Sequence, residues 1–116
     1  MDYEAILTYF AKQTGYDTIK IETHIINNRQ QHLLRFTNMS GPQRGSYLGY
    51  YENGRSHIMS FSSKNIKTIV NKIFDMTKHG AEIYFTFHLE PKTLIKPYQT
   101  LEEILIEMDL STTTIK

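Results

Sequence analysis

The sequence predicts an α+β domain, with about three helices set against a mostly antiparallel sheet. Apolar residues recur at helical spacing around residues 2–14, 62–79 and 100–108. Between the first two stretches the pattern switches to alternation in successive runs, and Asn53-Gly54 marks a tight type I′ hairpin turn. Consecutive hairpins imply antiparallel pairing. Helices separated by runs of strands imply either an open sheet with helices on one face or a small, partly closed barrel.

Each element has its own local cause. In residues 2–14, Ile6, Tyr9 and Phe10 form the apolar stripe, Asp2 and Glu4 suit the positive end of the helix dipole, and Gly15 ends the helix. Residues 18–26 alternate Ile19, Ile21, Thr23 and Ile25 with Lys20, Glu22 and His24, and the returning strand covers about 32–38. Setting Ile21 opposite Phe36 and Thr23 opposite Leu34 also sets Glu22 across from Arg35, so apolar and charged pairs favour one register. Around Asn53-Gly54, Glu52 pairs with Arg55, Tyr50 with His57 and Leu48 with Met59. The core face then carries Leu48, Tyr50, Met59 and Phe61, and the other face Tyr47, Gly49 and Tyr51.

The clearest helix follows, capped by Ser62 or Ser63, with Ile66, Ile69, Val70, Ile73 and Phe74 as its stripe and Gly80 as its terminator. Residues 82–90 read as an aromatic strand. Pro91 and Pro97 punctuate a connection, and Thr100-Leu101-Glu102-Glu103 is a capping box for a short acidic helix with Leu101, Ile104, Leu105 and Met108 inward. Residues 111–116 read as a frayed tail or a late edge strand.

At 116 residues the chain is read as a single domain, 1–116. It has no cysteine, which excludes disulfides, thiolate catalysis and cysteine-type zinc sites. Its apolar runs fall far short of the roughly 20 residues that span a bilayer, and its acidic start is unlike a signal peptide. A cytoplasmic location with no membrane partner is expected. Net charge is +1, unevenly spread: −2 over residues 1–28, +6 over 29–78 and −3 over 79–116, with all four arginines between 29 and 55. Such asymmetry reads as a nucleic-acid footprint or as an unevenly charged solvated surface.

No catalytic constellation is visible. The five histidines include no pair at the i, i+4 spacing of a helical zinc site. In the register above, His24 faces away from the core and His32 faces toward it. Adjacent Glu102 and Glu103 point about 100° apart on a helix and do not face one site. The expectation is therefore no enzyme, no cofactor and no metal.

The most distinctive loop, Gly41 to Ser46, lacks the lysine and the following helix of a nucleotide-binding loop. It reads as a connection between hairpins or as an anion-contacting loop in which Arg44 offers a fork of donors. Beyond it, Tyr47 and Tyr51 share the non-core strand face, placed to stack unpaired bases or to be buried under a helix. The candidate RNA-binding set is Arg35, Arg44, Tyr47, Tyr51, Arg55 and Lys64. The alternative is a protein-binding module that uses the aromatic strands as a docking surface, and a small ribonuclease comes third.

The N-terminal helix, the Arg- and Tyr-rich hairpins through Gly41–Phe61 and the ending Tyr98-Gln99-Thr100-Leu101-Glu102-Glu103-Ile104-Leu105 resemble PrgU-type proteins, small regulators carried on pheromone-responsive conjugative plasmids. The resemblance spans the chain by length. It implies a PUA-like RNA-binding fold, a compact pseudo-barrel with flanking helices, and a role in damping expression of a plasmid-encoded surface adhesin. It transfers no site residue.

Overall fold

A computed structural model describes residues 1–40, 45–86 and 92–113, with side chains to Ser111. Helix α1 (Tyr3–Gln13) opens the chain, and the Asp2 carboxylate caps it by accepting from the Ala5 N–H at 3.1 Å. Strands β1 (Thr18–Ile26) and β2 (Arg29–Thr37) form a hairpin, and β3 (Ser46–Glu52) and β4 (Arg55–Ile58) form a second. Helix α2 (Ile66–Lys78), β5 (Glu82–Thr86), β6 (Thr93–Ile95) and α3 (Leu101–Thr113) complete the order.

All pairings in the sheet are antiparallel, in the order β1-β2-β3-β5-β6, with β4 also on β3. The sheet stays open and is not closed into a barrel, so the open arrangement is the one adopted. Strand β3 is the hub. Its first residues, Ser46 and Tyr47, pair with β2, its later residues pair with β4 on that same edge, and β5 runs along its other edge. Past β4 the chain crosses to β2, where Phe61 bridges His32.

Inward-pointing Ile19, Ile21, Leu34, Phe36, Leu48, Tyr50, Ile83, Phe85 and Ile95 give the sheet one apolar face. All three helices pack on it. Ile6, Leu7, Phe10 and Ala11 come from α1, Ile69, Val70 and Ile73 from α2, and Ile104 from α3. The Asn53-Gly54 hairpin has the predicted pairing, and Leu48, Met59 and Phe61 are buried as its core face. The capping box holds as well, because Thr100 and Glu103 bond each other's backbone N–H groups.

Four details differ from the sequence reading. The first hairpin is offset by two residues, with Ile21 opposite Leu34 and Ile19 opposite Phe36. The cause is its turn, where Asn27 and Asn28 both take left-handed backbone (φ 53° and 63°) and close a two-residue loop, so β2 begins at Arg29. An offset of two keeps every residue on its expected face, since side chains alternate with period two. Asn65, not Ser62 or Ser63, caps α2, its side chain accepting from the Thr68 N–H at 3.0 Å. The proline-flanked connection contains β6. Of the expected tail, Ser111–Thr113 continue α3, and residues 114–116 lie outside the described residues. Of the strand expected over 82–90, residues 87–90 lie outside the described residues.

Tyr98 has left-handed backbone at φ 67°, unusual for a bulky side chain. Its N–H donates to the Thr77 carbonyl at 2.7 Å, and the Thr77 hydroxyl donates to the Gln99 carbonyl at 3.2 Å. The strain is thus tied to the bonds that fasten the entry of α3 to the end of α2.

Candidate nucleic-acid interface

No described helix lies on the second face of the sheet. Register places Lys20, Arg35, Tyr47 and Thr86 side by side across β1, β2, β3 and β5. A second row brings Gly49 between Tyr84 and Ile58, and a third sets Tyr51 between Glu82 and Ser56. Neighbouring strands are about 4.8 Å apart, so these side chains form one continuous surface.

Its centre is a polar triad. The Tyr47 hydroxyl donates to Glu22 Oε1 at 2.6 Å, and Arg35 Nη1 donates to Glu22 Oε2 at 2.9 Å. His24 Nε2 lies 3.1 Å from Oε1. Glu22 sits opposite Leu33, so it reaches Arg35 diagonally rather than straight across the hairpin. The Arg35 guanidinium also stands 5.6 Å from the centroid of the Tyr47 ring, a cation–π distance.

Electrostatics follow from this packing. Burial pushes the Glu22 carboxyl up, but hydrogen bonds from Tyr47, Arg35 and His24 outweigh it and hold the group at about 2. The same bonds raise Tyr47 and Arg35, because each favours its protonated form beside a carboxylate. At neutral pH the triad is one anion held by one cation and a phenol.

Gly49 is present for space. A Cβ there would lie 2.4 Å from Thr86 Cγ2 and 2.6 Å from the His57 carbonyl oxygen, so only glycine lets β3 approach both neighbours.

The six sequence-nominated residues are only partly brought together. Arg35 and Tyr47 meet directly, each already engaged with Glu22. Tyr51 shares their face, two positions further along β3, and is 45% exposed. Arg55 sits at the hairpin tip opposite Glu52, on the side of Leu48 and Tyr50 and so turned from the tyrosine face. Lys64 is exposed beside the Asn65 cap of α2, in the helical layer. Arg44 lies outside the described residues. The basic excess of 29–78 is therefore split. Arg29 and Arg35 belong to the open face, while Lys64, Lys67, Lys72 and Lys78 belong to α2 or its entry. Lys72 Nζ donates to the Ser60 carbonyl at 2.7 Å and sits over the Phe61 ring.

Lys20 and Tyr84, which could contact a ligand on this face, were not among the nominated residues. Alternation in 18–26 and 82–90 sets each on the polar or tyrosine side of its own strand. What the sequence lacked was the neighbour relation of β5 to β3.

The described histidines sit apart. His32 is buried with Nδ1 2.9 Å from the Thr23 hydroxyl, His57 stacks on Tyr50 with ring centroids 4.8 Å apart, and His79 caps α2. Among the described residues no group of three or more His, Asp or Glu side chains is placed to hold a metal ion. No described helix is long and apolar enough to cross a membrane. Comparison of the chain with protein-family models, with curated proteins and with solved structures returned no match.

Proposed function

We propose that the protein is a small RNA-binding regulator that takes single-stranded RNA on the open face of its sheet. One observation carries the reading: Tyr47, Tyr51 and Tyr84 share that face with Lys20 and Arg35, and no described helix lies on it. Sheet faces bearing aromatics suit unpaired bases, because every base has a π-face and stacking adds roughly 1–3 kcal/mol per base.

The roles divide by exposure. Tyr51 is the most open stacking platform. Tyr47 offers less ring, since Arg35 covers part of it and Glu22 fixes its hydroxyl. Lys20, at the exposed edge, meets phosphates, and the Arg44 guanidinium supplies a further anion contact. Glu22 opposes phosphate near its centre, so stacking supplies more of the affinity than charge does, and the salt dependence is shallow. The likeness to PrgU-type regulators belongs to this reading and supplies its setting: a post-transcriptional regulator of a conjugative mobile element, acting in the cytoplasm. The open sheet departs from the pseudo-barrel that likeness implies, so the binding surface rests on the geometry alone.

Ile58, 40% exposed beside Gly49 on the same face, favours a second reading in which the surface docks a protein. Anisotropy titration of labelled single-stranded RNA at low salt separates the two. Binding by the wild type, roughly tenfold weaker in Tyr51→Ala and retained in Tyr51→Phe, is the expected outcome. A wild type that leaves every RNA unbound, or Tyr51→Ala binding as well as wild type, sinks the RNA reading and leaves the docking one.

A further inference from the structure

Among the described strands β1 stands at one edge of the sheet, nine residues long, with its outer row of backbone donors and acceptors facing away from β2. Two of its isoleucines are unaccounted for by the fold: Ile25 is 69% exposed and Ile26 39%. Beside the same strand a groove of about 610 Å³ runs between α1 and β1, floored by Leu7, Ala11, Ile19 and Ile21. An exposed edge, an apolar groove alongside it and isoleucines without cover are complementary features of one surface.

We infer that this edge pairs with the β1 edge of a second copy, antiparallel and about a two-fold axis through Thr23. Register selects the axis. In an antiparallel self-pairing, opposed residues share a face, so Ile19, Ile21, Thr23 and Ile25 keep to the groove side while Lys20, Glu22, His24 and Ile26 keep to the other. An axis at Glu22 sets Glu22 against itself, a like-charge arrangement. An axis at Ile21 leaves Ile25 and Ile26 beyond the paired segment. With the axis at Thr23, Ile25 of one copy falls opposite Ile21 of the other, at the mouth of its groove. Glu22 falls opposite His24, a pair of complementary chemistry. Lys20 falls opposite Ile26, where its aliphatic stem covers an apolar side chain and its ammonium stays in water. The same lysine discourages pairing in other registers, the usual defence of an edge strand. Helices of both copies lie on one side of the joined sheet, and the tyrosine face remains open in each.

Sedimentation velocity of the full chain from roughly 10 to 300 µM reads the association directly, a range that covers the weak end of specific interfaces. A concentration-dependent dimer is expected. Ile25→Lys should weaken it at least tenfold, with little effect on the fold because the side chain is exposed. Ile58→Lys, on β4 and the opposite face, should leave it unchanged. Cross-linking fixes the register. The chain has no cysteine. Thr23→Cys places one on the axis, opposite its own copy at about 4.5–5.5 Å between Cα atoms, within disulfide reach. Lys20→Cys is separated from its copy by roughly 20 Å along the strand. Oxidation should therefore link Thr23→Cys and spare Lys20→Cys. A wild type that stays monomeric throughout, a dimer indifferent to Ile25→Lys, or equal cross-linking of the two cysteine variants overturns the inference. RNA binding by the tyrosine face is measured separately, so neither result decides the other.

Discussion

Glu22 carries three interactions on two oxygens, and its protonation is the most direct probe of the open face. Its folded-state value, about 2, lies below the ordinary value near 4.5. A depressed carboxyl contributes stability that is fully present above the unfolded value and is lost as pH falls through the folded one. Glu22→Gln removes the charge at every pH. The wild type should therefore exceed Glu22→Gln by about 1–3 kcal/mol at pH 6, discounted for a side chain a quarter exposed. The gap should narrow from about pH 4.5 and close near pH 2. Urea titrations of both proteins across that range check it, and a gap that stays constant with pH would show that Glu22 is not held ionised by its neighbours. Sequence reasoning put Glu22 with Arg35, which is right, but through direct opposition. The offset turn at Asn27-Asn28 makes the pair diagonal and lets Tyr47 in as the third member. Asparagine is among the few residues that tolerate left-handed backbone, so that pair was the signal for the true register.

Helix starts show how local chemistry competes. Ser62, Ser63 and Asn65 all precede the apolar stripe of α2 and all are good caps. Asn65 takes the role because its side chain reaches the Thr68 N–H, while the Ser63 hydroxyl accepts from the Asn65 N–H at 3.0 Å and supports the cap from one step back. Asn65→Ala should cost about 1 kcal/mol and Ser62→Ala nothing measurable. Thermal melts of the two variants test this, and equal losses would mean that the cap is shared. Elements defined by local sequence were legible almost to the residue. The stripes of α1 and α2, the Thr100–Glu103 capping box and the Asn53-Gly54 turn each have short-range causes. Strand β6 was not legible, since three residues between prolines carry no periodicity and pair only because β5 offers an edge.

At the scale of the whole molecule, the sheet order is where sequence reasoning stopped. Alternation correctly assigned residues to faces, but nothing local says that β2 and β4 share one edge of β3 while β5 takes the other. That arrangement decides the candidate site. It joins Tyr84 and Lys20 to Tyr47 and Tyr51, turns Arg55 to the other side, and divides a basic segment that looked like one patch. The same architecture sets an order of local stability. Strand β3 is paired along both edges, and α2 buries Ile69, Val70, Ile73 and Thr77 completely. Helix α3 is held more lightly. Ile104 is its one fully buried side chain among the described residues, Leu101, Leu105 and Met108 are only partly covered, and Ile106 and Leu110 are 59% and 60% exposed. Within it, Glu107 accepts from the Tyr9 hydroxyl and the Gln99 amide at an exposed site. Opening α3 thus uncovers little apolar surface, whereas opening β3 dismantles the core. Regions with few buried contacts open at lower free energy than the global transition. Amide hydrogen exchange followed by mass spectrometry should find α3 exchanging at least tenfold faster than β3 and β5, with α2 grouped with the sheet. Protection of α3 equal to that of β3 would mean that the last helix unfolds only with the core, and that Ile104 alone is enough to lock it.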